Sequence, residues 1–281
     1  MVNNAAWMGK SRLLSIKKIS YLWKMEILKT TIDKISKYRK DYFDSLPQFQ
    51  EAFLELMIGD CYILRIDSVE TGYVILNNEG VLIEFYVSPK YISQSNKIFK
   101  QVISELSITD IYCKSFDSLL LNNCLLNLYS YSLVGLLYRD YVAPLVATAP
   151  KVTYKKSHLS SAEFLASQDD SIMELFDTKE QVAYYIQNHD VFEFYKDEVF
   201  FGCGMVIRTH PDWNFCDLGV WVAPPQRGKS LGAQIILNLR EFALKNGLKP
   251  SCGCAIDNIA SQKTIEKSGY ISRYSVINFQ L

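Results

Sequence analysis

The chain has 281 residues, which at about 150 residues per domain predicts two domains and leaves room for sizeable cores without disulfides or structural metals. It is 49% hydrophobic and 21% charged, ordinary globular usage that excludes extensive disorder. Lysine plus arginine (30) equal aspartate plus glutamate (30), so no global field draws the chain to nucleic acid or to an anionic surface.

In chain order, residues 1–25 are basic and lack acids, but they have neither an apolar h-region nor a small-residue cleavage site. They read as an N-terminal extension or, alternatively, an organelle presequence. Roughly 26–57 is predicted helical, broken at Pro47. Strands are predicted at Cys61–Ile66, Gly72–Leu76 and Val81–Val87, with Asn77 to Gly80 as a hairpin turn. A helix at 95–106, a strand at 110–116, a helix near 117–130 and a strand at 133–142 follow. Pro144 and Pro150 then mark a linker.

The second half repeats this order. Helical segments over 160–188 lead to strands Val191–Tyr195, Val199–Arg208 and Phe215–Val222. A helix is predicted from Ser230 to Asn246, with Leu231, Ile235, Leu239 and Phe242 on one face and Gly247 as its stop. Strand 251–256, helix 261–268 and strand 270–279 complete the chain. Antiparallel strands followed by strand–helix–strand predict an α/β (mixed α+β) class. Each of two domains, 26–145 and 151–281, is a mixed, mostly antiparallel sheet flanked by helices.

Seven cysteines without a Cys-x-x-Cys pair and three scattered histidines fit neither a zinc site nor a disulfide framework, so no metal is expected. No apolar run approaches the ~20 residues of a membrane span. A cytoplasmic protein with no membrane or nucleic-acid partner is the expectation, as a monomer or homodimer.

The most informative stretch runs from Asp217 to Ala233. A strand leads into a loop holding glycines and positive charge, and the loop opens directly into a helix. Free N–H groups at that helix start, with the positive end of its dipole, make an anion site. Gly228 and Gly232 remove side chains that would block a phosphate, and Arg227 and Lys229 add charge. The spacing is that of neither a nucleotide P-loop nor Gly-x-Gly-x-x-Gly.

On these residues, 151–281 resembles the GNAT superfamily of N-acetyltransferases. The family's acetyl-CoA loop, [Arg/Gln]-x-x-Gly-x-[Gly/Ala], is matched by Arg227-Gly-Lys-Ser-Leu-Gly232, with Ser230 in place of the usual glycine. Serine is the next smallest choice and a good helix N-cap. Downstream, Asn258-Ile-Ala-Ser261 and Lys267-Ser-Gly-Tyr270 resemble the family's Asn-x-x-[Ser/Ala] and Lys-x-Gly-[Phe/Tyr].

The resemblance implies two parallel strands that splay to admit the pantetheine arm of acetyl-CoA. Val220, Trp221 and Val222 would line it, with the backbones of Val220 and Val222 pairing to the arm and an N–H there polarising the thioester carbonyl. Arg227, Gly228, Lys229, Ser230, Leu231, Gly232 and Ala233 would hold the diphosphate. Asn258 would contact the CoA arm; as a residue it reads equally well as a helix-capping turn asparagine.

For chemistry, Asp217 is the base candidate, two residues before Gly219 where relatives often place a carboxylate. An apolar strand around it would raise its pKa; the alternative is an ion pair, with Arg208 on the adjacent strand. Many relatives carry a tyrosine as acid seven residues after the motif asparagine, where this chain has Ile265. Ser261 occupies the position used in relatives resembling ribosomal-protein N-acetyltransferases, and reads alternatively as the N-cap of 262–268. Tyr270, Cys252 and Cys254 read as core, and His210 as a surface turn residue.

The first half looks like a weaker copy. Its loop Lys90 to Asn96 has no glycine and one positive charge, and alignment on the prolines after the third strand sets Glu84 opposite Gly219. A degenerate, non-catalytic domain is predicted. The expected activity is acetyl-CoA-dependent transfer to a primary amine by direct attack in a ternary complex. A small-molecule amine is favoured and a protein amine stays open. The alternative is an acyl-CoA-binding or sensing module with little turnover, favoured by the missing tyrosine and by Ser230.

Overall fold

The computed structural model describes residues 24–47, 54–55, 57–127, 129–146, 152–208 and 213–281. Two pairs of left-handed residues set its frame. Asp67 (φ 48°) and Ser68 (φ 68°) turn β2 (Ile58–Ile66) into β3 (Val69–Asn77). Asp197 (φ 48°) and Glu198 (φ 65°) turn β8 (Asp190–Lys196) into β9 (Val199–Arg208). Consecutive left-handed residues are what a two-residue hairpin with native twist requires, and the device recurs at the same place in each half. The predicted turn at Asn77 to Gly80 also forms. Asn77 Oδ1 accepts from the N–H groups of Glu79 and Val81, and Gly80 takes φ 83°.

The remaining strands are β1 (Met25–Thr30), β4 (Leu82–Val87), β5 (Asp110–Lys114), β6 (Ser130–Tyr141), β7 (Val152–Lys156), β10 (Phe215–Val222), β11 (Lys249–Ala255) and β12 (Tyr270–Gln280). The helices are α1 (Ile32–Ser45), α2 (Ser95–Glu105), α3 (Ser118–Leu126), α4 (Ala162–Ala166), α5 (Met173–Phe176), α6 (Gln181–Asn188), α7 (Leu231–Lys245) and α8 (Ile259–Lys267). No helix among the described residues is long and apolar enough to cross a membrane.

Three expectations are corrected. Residues 25–30 are a strand rather than the start of a helix: Met, Glu, Leu and Lys favour helix weakly, and pairing along β2 from Met25↔Ile66 to Thr30↔Cys61 overrides them. Strand β7, absent from the sequence reading, is a mostly exposed edge strand ending in two lysines, so it carries no apolar alternation to detect. The helical stretch 160–188 is three short pieces, interrupted at Asp177 with φ 61°.

The strands form one sheet in the order β1-β2-β3-β4-β5-β12-β6-β11-β10-β9-β8-β7. The final strand of each half crosses into the other. β12 pairs with β5 from Val276↔Lys114 to Gln280↔Asp110, and β6 pairs with β11 from Cys252↔Tyr138 to Ala255↔Gly135. β6 and β12 also pair with each other, from Tyr270↔Tyr141 to Gln280↔Ser130. The halves are thus two copies of one plan sharing a sheet, and each closes an edge the other would leave open.

Apolar clusters cover both faces of each half. In the second, α7 packs Leu231, Ile235 and Leu239 on one face, and Phe176, Val182 and Trp221 gather on the other. The halves also meet through side chains, Phe43 of α1 lying edge-on to Trp213 with ring centroids 4.8 Å apart.

Beneath α1 lies a buried charged network. Arg39 donates from Nε (3.0 Å) and Nη2 (2.5 Å) to the two oxygens of Glu84, and from Nη2 to Glu55. Tyr73 donates to Glu84 at 2.8 Å, and Tyr42 to Asp117 at 2.6 Å. Lys114 Nζ sits over the Tyr42 ring. Glu84 and Lys114 are fully buried. Burial pushes the Glu84 carboxyl up, but the Arg39 guanidinium, with Lys114 behind it, brings it to a net value below the usual one. Removing one partner leaves the buried charges around it less well compensated, away from water. Glu84→Gln should therefore lower the unfolding free energy by about 3–5 kcal/mol, read as a fall in the urea midpoint at pH 7. Because the folded-state Glu84 pKa is depressed, its contribution is complete above the ordinary carboxylate range and fades as pH falls through the folded value. The gap between wild type and variant should narrow in acid; equal midpoints at pH 7 would mean the network does not stabilise the fold.

Candidate active site

β10 and β11 run parallel and pair only at Phe215↔Lys249, Cys216↔Pro250 and Asp217↔Ser251; beyond that they diverge. The direction of the free backbone groups follows from the glycines of β9. A Cβ on Gly202 would fall 2.4 Å from the Trp221 carbonyl oxygen, and one on Gly204 would fall 2.9 Å from that of Gly219, so both carbonyls point to β9. By strand alternation the backbone groups of Leu218, Val220 and Val222 turn into the gap. Cys216 O, of the same parity, accepts from Ser251 Oγ of β11.

Past Val222 the chain makes a short 3-10 turn at Pro224–Gln226, takes left-handed conformations at Gly228 (φ 78°) and Ser230 (φ 58°), and enters α7. The first-turn N–H groups of α7 lack intrahelical partners and face the same space as the strand gap. A single cavity of about 580 Å³ joins the two. It is lined by Val220 and Val222, by Arg227, Gly228 and Ser230 to Ala233, by Asn258 and Ser261 of the α8 region, and at its far end by Glu174 and Leu175 of α5.

The two glycines act differently from the expectation that both clear a path for phosphate. A Cβ on Gly228 would meet nothing within 4 Å, so its requirement is the positive φ. A Cβ on Gly232 would lie 2.8 Å from Thr264 Cγ2, so its requirement is the close approach of α7 to α8. Ser230 stands at the N-cap position, but in a left-handed conformation and with no side-chain cap bond; its Oγ lies 3.4 Å from Lys267 Nζ. The expected serine cap does not form, and the conformation is the one glycine adopts most easily.

Arg227 donates from Nε to Val222 O (2.9 Å) and from Nη2 to Ser171 Oγ (2.6 Å). Lys229 bonds Pro225 O and Gln226 Oε1 and does not line the cavity. Lys263 and Lys267 of α8 do line it, and the sequence reading had not singled them out as site residues. Trp221 borders the cavity, but its side chain is buried on the opposite face of β10. There it lies near Phe200, and its Nε1 donates to Ser171 Oγ.

Asn258 is the N-cap of α8: its Oδ1 accepts from Ser261 N–H at 3.0 Å, which leaves its amide NH₂ to face the cavity. Ser261 is therefore inside the helix and not its cap. Ile265 is 2% exposed and Tyr270 1%, both in the core. Cys252 is buried core, whereas Cys254 is half-buried and lines the cavity. His210 lies outside the described residues.

Asp217 is not in the apolar setting expected of it. Ser251 Oγ donates to its Oδ1, and Arg139 Nη1 lies 3.3 Å from the same oxygen. The cation comes from β6 of the first half, while Arg208 Nη2 bonds Trp213 O. The Asp217 carboxylate sits behind the apex of the gap, and Glu174 is the carboxylate that lines the cavity itself.

The corresponding place in the first half is built differently. β4 and β5 touch at Leu82↔Ile111 alone, but the side chain opposite Gly219 is Glu84 with its buried partners. The loop entering α2 contains no left-handed residue.

Two family models match the chain: the acetyltransferase (GNAT) domain over residues 31–141 and the acetyltransferase (GNAT) family over residues 157–270. The chain belongs to the GNAT superfamily, in tandem form. Among solved structures, a GNAT-family acetyltransferase from Colwellia psychrerythraea is 18% identical with a TM-score of 0.79, over 92% of this chain and 99% of that one. A tandem GNAT protein from the clavulanic acid biosynthesis pathway is 11% identical with a TM-score of 0.63, over 92% and 98%. A GCN5-related N-acetyltransferase from Sphaerobacter thermophilus is 9% identical with a TM-score of 0.54, over 91% and 95%. These likenesses are of fold. No curated protein matches the chain. At the level of the family the activity is acyl-CoA-dependent acetyl transfer, and the diverging strands and the start of α7 are the parts of this GNAT chain that fit such a co-substrate.

The contrast between the two glycines can be measured. Gly232→Ala should destabilise by about 1–3 kcal/mol through the clash with Thr264, and Gly228→Ala by about 1 kcal/mol through its backbone conformation. Adding Thr264→Ala should recover part of the first loss and none of the second. Equal recovery in both would remove the packing explanation for Gly232.

Proposed function

We propose that this protein is an acetyl-CoA-dependent N-acetyltransferase acting on a primary amine of a small molecule, within the reducing interior of the cell. Residues 151–281 form the catalytic unit and 26–145 a non-catalytic one that completes the sheet and supplies Arg139. The observation that carries the reading is the continuous cavity from Glu174, through the gap beside Val220 and Val222, to the N-terminus of α7.

In this reading the N–H groups of Leu231, Gly232 and Ala233, with Arg227, Lys263 and Lys267, hold the diphosphate end. The backbones of Leu218, Val220 and Val222 and the Asn258 amide hold the arm. When bound, acetyl-CoA supplies an acyl thioester, whose C–S bond breaks as the C–N bond forms. Glu174 draws the ammonium form of the acceptor into the gap. Asp217 receives its proton through water, since the carboxylate lies behind the cavity wall. Ser261, which lines the cavity, relays to the departing thiolate the second proton that the nitrogen loses as the amide forms, and so ends as the neutral hydroxyl it began as.

A second reading, a CoA-binding module with little turnover, is favoured by one observation: among the described residues, no tyrosine or histidine lines the cavity. Calorimetry with acetyl-CoA tests what both readings share, and absence of binding rejects both. Turnover on an amine panel, followed by thiol release, separates them. In the first reading Asp217→Asn lowers kcat by roughly 10²–10⁴, while Glu174→Gln acts chiefly on KM; a panel that gives no thiol release selects the second.

A further inference from the structure

A second opening in the sheet lies at the other end of β11. β6 and β11 pair from Cys252↔Tyr138 onward, and toward Lys249 they part, where Pro250 has no N–H to offer. A cavity of about 340 Å³ occupies this place and shares no lining residue with the larger one. Three cations line it and no acid does, among the described residues: Arg139 from β6, Arg240 from α7 and Lys249 from β11.

The Arg139 side chain is 3% exposed and pairs with Asp217. Arg240 instead stacks on Tyr141, 3.4 Å from the ring centroid, and Lys249 Nζ stands 5.2 Å over Phe215. Three cations converging on a recess whose lining holds no acid among the described residues, with the Asp217 carboxylate behind it, create a positive potential that an anion relieves. Two of them are guanidinium forks, whose geometry suits carboxylate or phosphate oxygens. Tyr141, Tyr270 and Phe215 add flat apolar walls, and the volume exceeds that of a bare ion.

We propose that the cavity between β6 and β11 binds a small organic anion. Its carboxylate or phosphate meets Arg139, Arg240 and Lys249, and its apolar body lies against Tyr141, Tyr270 and Phe215. The site is separate from the gap where acetyl transfer is placed, and it stands whether or not that transfer occurs. It also adjoins the gap, because Arg139 and Ser251, which line it, both bond Asp217.

The test is a titration of the full chain, saturated with CoA so that the start of α7 is filled, with sodium benzoate and with sodium phosphate. Sodium chloride at equal ionic strength is the control, and melting temperature and calorimetric heat are the readouts. A saturable stabilisation by either anion is expected, weakened at least tenfold in Arg240→Gln/Lys249→Gln. Lys249→Gln alone, at an exposed residue, should fold normally and lose affinity several-fold, so the test survives a double variant that fails to fold. A response to phosphate alone assigns a phosphate ester, and a response to benzoate alone a carboxylate. No saturable response, or an undiminished one in Lys249→Gln and in the double variant, overturns the proposal. Failure of CoA itself to bind, seen before any anion is added, instead overturns the acetyl-transfer reading and leaves the comparison of variants intact.

Discussion

The separation of β10 from β11 is the constraint on which the rest of the site depends. Two parallel strands that pair for three residues and then part leave backbone donors and acceptors unpaired inside a sheet, which costs free energy unless something occupies the gap. The apex is fixed by side chains rather than by more backbone pairing: Ser251 Oγ reaches both Cys216 O and Asp217, and Arg139 holds Asp217 from the next strand over. Since Arg139 belongs to β6, the first half helps to build the apex of the second half's gap. A charge at the apex also discourages the strands from closing, because zipping them together would press Asp217 and Arg139 into a tighter, drier space.

The first half shows the same plan with a charged side chain in place of Gly219. The exchange of a glycine for Glu84 brings a carboxylate into the core, and that requires Arg39, Tyr73 and Lys114 around it. Each added partner is itself buried, so the network can be maintained only as a whole. A loop without left-handed residues then makes α2 an ordinary helix start. One chain thus carries two versions of a single architecture, one with a cavity and a curled loop and one with a packed charged cluster.

Much of this was legible in the sequence where the constraint is local. The loop Arg227 to Gly232 could be read because a strand, a curled turn and a helix start follow one another within a few residues, each with its own residue requirement. The hairpin turn at Asn77 to Gly80 was legible for the same reason. What escaped reading is what topology assembles from a distance. Arg139, Ser251 and Asp217 come from three strands, and only the crossing of β6 into the second half's sheet brings them together. Glu174 is an exposed acid on a four-residue helix, with no pattern to mark it. β1 and β7 were missed because edge strands bury little and so carry weak alternation, and the polar residues between 160 and 188 hid the breaks between short helices.

The loop's charges also lead to a distinction that motif matching blurs. Arg227 and Lys229 look like phosphate ligands, yet both are engaged by their own loop, Arg227 on the Val222 carbonyl and on Ser171, Lys229 on Pro225 and Gln226. Their first effect is to shape the turn: Arg227 ties the end of β10 to the segment before α5, so that Gly228 and Ser230 are held in left-handed conformations at the start of α7. The cations facing the cavity are supplied largely from α8, by Lys263 and Lys267. Charge and shape therefore come from different helices, and Gly232, which lets Thr264 close against α7, fixes the distance between them. A neutral chain can in this way present a positive site, because the N–H groups and the lysines converge on one recess while the balancing acids lie elsewhere.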